Sequence, residues 1–176
     1  MRIIAGSLKG RQFTSPGGHR THPMSEKMRG AMFGVLGDIE GLTVLDAFAG
    51  SGALSFEALS RGAKSALMLD DDKAAQDAIT ANIRSLGVSR ARFISANAIN
   101  WSRRNSLQKF DLLIADPPYD KLPFPVIEKI VQNLAHGGTY ILSWPSQYEH
   151  PKLAGLEIVA NKLYGDAQLV FYQHIR

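Results

Sequence analysis

From residue 43 onward, the chain alternates short, continuously apolar segments with amphipathic segments, and this alternation limits the possible folds more than any other feature. Strands are predicted over five segments, 43–48, 66–70, 92–96, 111–116 and 139–144. A helix is predicted over 52–61. A second helix is predicted by four apolar residues at helical spacing, Ala75, Ile79, Ile83 and Leu86. Continuous apolar strands separated by helices indicate a parallel sheet that is covered on both faces.

The two ends of the chain depart from this alternation. Near the C-terminus, two strand-like segments flank residues 164–167 with no helix between them, which predicts an antiparallel hairpin. Near the N-terminus, "RIIAG" and "GRQFTS" predict a short hairpin, and Ser25 can cap a following helix. The apolar stripe of that helix is predicted to contain Met28, Ala31, Met32, Val35 and Leu36. We therefore expect an α/β domain over 41–176, with residues 1–40 as its hairpin-and-helix extension.

The positive charge of the chain is concentrated in its N-terminal segment. The net charge is +4, of which +5 lies in residues 1–36 and −1 in residues 37–176. The single acid of the segment, Glu26, stands against six bases, Arg2, Lys9, Arg11, Arg20, Lys27 and Arg29. Such a cluster is typical of proteins that bind a phosphate backbone. A solvated arm without a partner is the alternative.

The composition also argues against several classes of site. The chain has no cysteine, which excludes disulfides, thiolate zinc sites and cysteine nucleophiles. His19 and His22 lie three residues apart without an acid cluster, so no metal site is predicted. No apolar run approaches the ~18 residues of a membrane span, and the start "MRIIAGSLKG" is too briefly apolar for a signal peptide. We therefore expect a cytoplasmic protein, with a monomer as the default.

Distinctive residues follow three of the predicted parallel strands, at the edge where open sheets of this kind bind ligands. The first strand ends in the turn Asp46-Ala47-Phe48-Ala49-Gly50-Ser51-Gly52, which suits a nucleotide or cofactor at a helix N-terminus. Asp70 ends the second strand, where a carboxylate can accept hydrogen bonds from ribose hydroxyls. Asn97 and Ala98 follow the third strand, and the amide can bind an adenine edge. Turn and helix-capping roles are the alternatives.

The fourth strand ends in "DPPY", which is Asp116-Pro117-Pro118-Tyr119. The prolines restrict the backbone and so hold two acceptors in place, the Asp116 carboxylate and the Pro117 carbonyl. Acceptors that bind both N–H bonds of an exocyclic amino group localise its lone pair, and Tyr119 offers a face for stacking the base. The motif therefore predicts methyl transfer to an amino nitrogen. A simple strand terminator, the alternative, leaves Asp116 and Tyr119 unexplained.

Two long segments, "VLDAFAGSGALSFEALSRGA" and "FDLLIADPPY", resemble the Rossmann-like S-adenosylmethionine-dependent methyltransferases that act on amino groups. The N-terminal "MRIIAGSLKGR" and "THPMSEKMRGAMFGVL" resemble more narrowly the bacterial 16S rRNA guanine-N2 methyltransferase family, the RsmD family. The resemblance implies a seven-stranded, mostly parallel sheet with an antiparallel last strand. It also implies S-adenosylmethionine as the cofactor and 16S rRNA, within small-subunit particles, as the partner.

The resemblance further implies the roles of the residues at the strand ends. Residues 46–52 would surround the methionine part of the cofactor, Asp70 would bind its ribose, and Asn97 with Ala98 would lie near its adenine. Residues 116–119 would hold the target guanine. The sequence departs from the family pattern at three positions, Asn97 in place of Asp, His22 in place of Arg and Gly30 in place of Glu.

We therefore expect methyl transfer from S-adenosylmethionine to the N2 amino group of a guanine in 16S rRNA. The phosphates of that RNA are expected to contact seven residues of the N-terminal segment, Arg2, Lys9, Arg11, Arg20, His22, Lys27 and Arg29. Three alternatives stay open. They are N6-adenine methylation of DNA or RNA, methylation of a glutamine amide, and a non-catalytic RNA-binding assembly factor.

Overall fold

The centre of the protein is a seven-stranded sheet. The structure is a computed structural model that describes residues 1–16 and 24–175. The strands are β1 Thr43–Asp46, β2 Ser65–Asp70, β3 Ala91–Ser95, β4 Phe110–Ala115, β5 Leu134–Pro145, β6 Leu156–Tyr164 and β7 Ala167–His174. Their order in the sheet is β3-β2-β1-β4-β5-β7-β6. Strands β1 to β5 pair in parallel, whereas β7 is antiparallel to both of its neighbours. The predicted mostly parallel sheet and its C-terminal hairpin are thus confirmed.

Helices cover both faces of this sheet. They are α1 Glu26–Leu36, α2 Ala53–Ser60, α3 Lys73–Leu86, α4 Ala98–Arg104 and α5 Phe124–Ile130, with a 3-10 turn at Val131–Asn133. Successive strand residues point to opposite faces. Val44 accordingly packs with α1 and α2, and Leu45 packs with α4 and α5. None of the helices described within 1–16 and 24–175 has the length and apolar character needed to cross a membrane.

Local sequence signals set the ends of several helices. The Ser25 hydroxyl accepts a hydrogen bond from the Met28 N–H and caps α1, as predicted. Asp72 caps α3 by accepting from the Ala75 N–H at 3.0 Å. The same helix ends at Gly87, which has a left-handed backbone with φ of 68°. These caps explain where α1 begins and where α3 begins and ends.

Residues 1–14 of the N-terminal segment form a hairpin-like loop, whereas two regular strands were predicted. Its only bridge within the described residues joins Arg2 to Gln12, while Ile3 and Phe13 are buried against α2 and α3. The loop approaches α2 very closely at Gly6, where an added Cβ would lie 1.8 Å from the Ser60 carbonyl oxygen. Backbone hydrogen bonds between its two arms, such as that from the Ile3 N–H to the Arg11 carbonyl oxygen at 2.9 Å, and packing on the domain together hold this segment.

The buried face of α1 differs from the predicted stripe. Val35 is 40% exposed, whereas Phe33 and Arg29 are fully buried. The prediction that Arg29 binds nucleic acid is wrong because no part of its side chain reaches the surface. Its guanidinium donates to the Arg2 carbonyl oxygen at 2.7 Å and pairs with the buried Glu57 carboxylate of α2 at 3.6 Å.

The Glu57 carboxylate also binds the backbone of the N-terminal segment. It accepts hydrogen bonds from the Ile4 N–H at 2.9 Å and from the Ala5 N–H at 3.1 Å. The Arg61 side chain donates to the same carboxylate at 2.8 Å. One buried acid therefore connects the N-terminal segment, α1 and α2, and α2 is the helix that follows the turn after β1.

Candidate active site

The polar residues predicted at the strand ends lie in a row along one edge of the sheet. Because β3, β2, β1 and β4 are neighbours, Asn97, Asp70, Asp46 and Asp116 follow one another along their carboxyl ends. The strand order reverses between β1 and β4, so Asp46 and Asp116 flank the topological switch point. Open α/β sheets bind ligands in the crevice at such a point.

The turn between β1 and α2 is held by a side chain of the neighbouring strand. The Gly50 N–H donates to the Asp70 carboxylate at 2.8 Å. Gly52 has a φ of 79°, and a Cβ added there would lie 2.5 Å from the Phe56 ring. The tight turn therefore requires glycine at position 52 for both backbone and packing reasons. It leaves the N-terminus of α2 directed toward the sheet edge.

Asp46 is a buried carboxylate with one free oxygen. Its Oδ2 accepts from the Ser55 hydroxyl at 2.9 Å, whereas its Oδ1 has no hydrogen-bond partner among the described residues. Burial, assisted by the charges of Asp116 and Asp70, raises the pKa of Asp46 to about 7. A buried, unpartnered acceptor in an acidic setting suits a cationic donor such as an ammonium group.

The carboxyl ends of β2 and β3 are joined by side-chain hydrogen bonds. Burial raises the pKa of Asp70, whose second oxygen accepts from the Asp72 N–H at 2.9 Å. Asn97 caps α4 by accepting from the Ile99 N–H at 3.2 Å and donates to Asp71 at 3.1 Å. The capping alternative is therefore observed for Asn97. The adenine contact of Asn97 and of the buried Ala98 stays a prediction.

The DPPY segment leaves β4 with its acceptors at the sheet edge. Asp116 and Tyr119 are half-buried, Pro117 is buried and Pro118 is exposed. Burial raises the pKa of Asp116 to about 6, an effect that the Ser143 hydroxyl opposes. Burial also raises the pKa of Tyr119 to about 12, so its hydroxyl is protonated at neutral pH. That hydroxyl lies 2.7 Å from the Ser143 hydroxyl of β5, which holds the ring in place.

The basic residues of the N-terminal segment have different environments. Arg2 is exposed and pairs with Glu26 at 2.9 Å, and the exposed Arg11 donates to the Ser85 carbonyl oxygen at 2.8 Å. Lys9 and Lys27 are exposed. The predicted contacts of Arg20 and His22, and the His19 position, lie outside the described residues.

Sequence reasoning missed several polar residues that support the site. Ser55 and Ser143 hold Asp46 and Tyr119 through their hydroxyl groups. The buried Asn82 of α3 donates to the Ser51 carbonyl oxygen at 3.3 Å. Each of these residues interrupts an otherwise apolar face of its helix or strand, which is the signal by which they can be found.

A solved structure places this architecture in a known class. "Putative methyltransferase yhhF from Escherichia coli" superposes with a TM-score of 0.86 at 28% identity, covering 99% of this chain and 97% of that one. The fold is that of a Rossmann-like methyltransferase. The family model described as "Conserved hypothetical protein 95" matches residues 1–173, and the chain belongs to this family, the RsmD family of methyltransferases.

Curated relatives agree with this assignment. "Putative rRNA methyltransferase YlbH" of Bacillus subtilis is 28% identical over 181 residues, covering 98% of each chain. "Ribosomal RNA small subunit methyltransferase D" of Escherichia coli is 32% identical over 120 residues, covering 68% of this chain and 60% of that protein. The resemblance inferred from residues of the N-terminal segment, the turn after β1 and DPPY is thus confirmed at the level of the family.

Proposed function

We propose that the protein transfers a methyl group from S-adenosylmethionine to the N2 amino group of a guanine in 16S rRNA of the small ribosomal subunit. The observation that carries this proposal is the position of DPPY beside the buried Asp46, across the switch point of the sheet. The rRNA methyltransferases among its relatives support an RNA substrate.

The residues around the β1 turn fit the cofactor. S-adenosylmethionine supplies an electrophilic methyl group on a sulfonium and carries an α-ammonium. The Oδ1 of Asp46 suits that ammonium, since it is a buried acceptor without a hydrogen-bond partner in the described part of the chain. The cofactor is proposed to lie along the carboxyl ends of β1, β2 and β3, where it would contact Asp46, Phe48, Gly50, Ser51, Gly52, Asp70, Asn97 and Ala98.

The residues of DPPY would position the nucleophile. The Asp116 carboxylate and the Pro117 carbonyl would each accept one N–H of the amino group, which directs the nitrogen lone pair toward the methyl group. With a pKa of about 6, Asp116 is mostly ionised at pH 7 to 8 and able to accept. Methyl transfer needs no covalent enzyme intermediate, so orientation supplies most of the catalysis, up to roughly 7–11 kcal/mol of the barrier.

Tyr119 and the N-terminal segment would bind the RNA. The Tyr119 ring is restrained by the contact with Ser143 and would stack on the unstacked target base. Among the described bases, Arg2, Lys9, Arg11 and Lys27 are exposed and would contact phosphates. The buried Arg29 is not part of this surface.

The transfer of labelled methyl groups to RNA tests the catalytic role. Asp116→Ala should lower kcat by roughly 100-fold or more, because it removes an acceptor that orients the nucleophile. Asp120→Asn is the matched control, since Asp120 is an exposed acid of the same loop and should keep normal activity. Equal incorporation by Asp116→Ala and wild type would refute the proposal.

A panel of substrates tests the choice of substrate. Labelled cofactor is offered with naked rRNA, assembled small subunits, DNA and protein, and the modified product is identified by mass. Product N2-methylguanine in the small-subunit RNA is the expected result. Methylation confined to DNA, to protein or to adenine would contradict the proposed target. The panel is needed because DPPY would recognise an amino group beside a planar ring and not guanine itself.

A further inference from the structure

Two half-exposed aromatic side chains at the catalytic edge have no role in the chemistry proposed above. Phe124 is 46% exposed and begins α5 after the exit of β4, and Tyr148 is 50% exposed and follows β5. Since β4 and β5 are parallel neighbours, both residues lie at their carboxyl ends. The other large apolar side chains with comparable exposure in 1–16 and 24–175 are aliphatic, namely Val35, Leu107, Ile158, Val159, Leu163 and Ile175.

The buried Trp144 contacts both the start of α5, which carries Phe124, and the turn that contains Tyr148. The Phe124 ring packs edge-on against the Trp144 indole, with the ring centroids 4.9 Å apart. The Trp144 Nε1–H donates to the backbone carbonyl oxygen of Glu149 at 3.2 Å. Glu149 is the residue next to Tyr148. The fully buried indole therefore contacts both the Phe124 ring and the backbone of the turn that contains Tyr148.

The backbone that carries Tyr148 is fixed. The Gln168 side chain donates to the Tyr148 carbonyl oxygen at 2.9 Å, and the Tyr172 hydroxyl donates to the Pro151 carbonyl oxygen at 2.9 Å. The fold leaves about half of the Tyr148 side chain unburied, on a backbone that is held in place. This side chain loses little conformational entropy when a partner stacks on it, because it has only two side-chain torsions.

The two aromatic segments flank the DPPY site at the end of β5. Ser143 and Trp144 are successive residues of that strand, so their side chains point to opposite faces of the sheet. Tyr119 contacts Ser143, and Phe124 contacts Trp144. Tyr119 and the second aromatic surface therefore lie on opposite sides of the same sheet edge, next to successive residues of β5.

The charged residues next to these aromatics in the chain carry no excess of positive charge. Asp120 and Glu149 are acidic and Lys121 and Lys152 are basic, and all four side chains are exposed. A surface without excess positive charge gains little from phosphate contacts. Aromatic rings, by contrast, bind unpaired bases of any sequence through stacking.

We propose that Phe124 and Tyr148 form a stacking surface for unpaired bases next to the methylated nucleotide. This inference rests on the RNA substrate proposed above. The target base must leave its stack to reach Asp116, and its neighbours then lose a stacking partner. Stacking on Phe124 and Tyr148 replaces that lost contact. The surface thus favours a single-stranded or unpaired RNA segment over a duplex.

The affinity for a fluorescein-labelled, unstructured RNA of about 15 nucleotides tests this surface by fluorescence anisotropy. Phe124→Ala and Tyr148→Ala should each weaken binding by roughly five- to 150-fold, the range measured for loss of one stacked base. The dependence of Kd on salt should not change, because no phosphate contact is removed. Phe124→Tyr and Tyr148→Phe keep the aromatic plane and should bind like wild type.

Two control variants separate stacking from other effects. Leu107→Ala removes an apolar side chain that is 92% exposed and lies before β4, at the opposite edge, and should leave RNA binding unchanged. Neutralising Arg2, Lys9 and Arg11 together should weaken binding and also flatten its salt dependence. Thermal unfolding of every variant checks that the protein is folded at the temperature of the binding assay.

Several results would overturn the stacking surface. If Phe124→Ala and Tyr148→Ala bind the RNA within twofold of wild type while wild type methylates RNA, this surface is refuted and the proposed function stands. If Phe124→Ala and Tyr148→Ala lose the same affinity for duplex RNA as for single-stranded RNA, stacking on unpaired bases is also refuted. If wild type neither binds nor methylates RNA, the proposed function fails and the surface fails with it.

Discussion

Replacement of Glu57 by alanine tests the buried ion pair that attaches the N-terminal segment to the methyltransferase domain. Glu57 and Arg29 have no exposed side-chain surface, and their closest charged atoms lie 3.6 Å apart. Glu57→Ala leaves the Arg29 guanidinium buried without its counter-charge, which costs about 3–5 kcal/mol. It also removes the acceptor of the Ile4 and Ala5 N–H groups. We therefore expect a loss near the upper end of that range.

The free energy of unfolding in urea measures this loss, with Glu26→Ala as the matched control. Glu26 pairs with Arg2 at 2.9 Å, but their side chains are 43% and 65% exposed. An exposed pair of this kind contributes about 0–1 kcal/mol. Hydrogen exchange gives a local measurement, since the Ile4 and Ala5 amides should lose protection in Glu57→Ala.

A double variant separates charge burial from packing. Arg29→Met combined with Glu57→Leu removes both charges and keeps apolar volume, so it should be more stable than Glu57→Ala alone. The reasoning is refuted if Glu57→Ala and Glu26→Ala have free energies of unfolding within about 1 kcal/mol of each other. It is also refuted if the double variant is the least stable protein of the set.

The remaining predictions concern the two acidic residues at the switch point. Burial raises the folded pKa of Asp46 from 3.8 to about 7, so the folded state binds more protons than the unfolded state in this window. Stability should therefore fall as pH rises from about 4 to 7, and Asp46→Asn should weaken this dependence in urea titrations at pH 5 and pH 8. For Asp116, with a pKa of about 6, kcat/KM should fall as pH decreases through 6. A pH profile for Asp116→Asn that keeps the same acid limb would contradict that assignment.

The elements of the fold followed from short-range features of the chain. Continuous apolar segments predicted the parallel strands, and Ser25 marked the start of a helix that the structure confirms. These predictions succeed because capping and strand periodicity depend on a few neighbouring residues. The site edge was predictable as well, since the carboxyl ends of parallel strands must meet at one edge.

The burial of charge was not predictable in the same way. Arg29 lies in a basic segment and looked like a phosphate ligand, but it is buried because Glu57, 28 positions later, lies opposite it. A charged side chain enters the interior only where a counter-charge and hydrogen bonds offset its lost hydration. Spacing within one segment contains no information about such a partner.

The amino-acid sequence by itself determined the α/β class and the strand ends that carry Asp46 and Asp116, and it is the source of the amino-group chemistry proposed for DPPY. Only the tertiary structure decided which polar residues support one another there. Tyr119 is fixed by Ser143 of a neighbouring strand, and Phe124 is placed by Trp144. The physical reason is range: backbone preferences act over a few residues, whereas hydrogen bonds and ring contacts depend on which strands the folded sheet brings together.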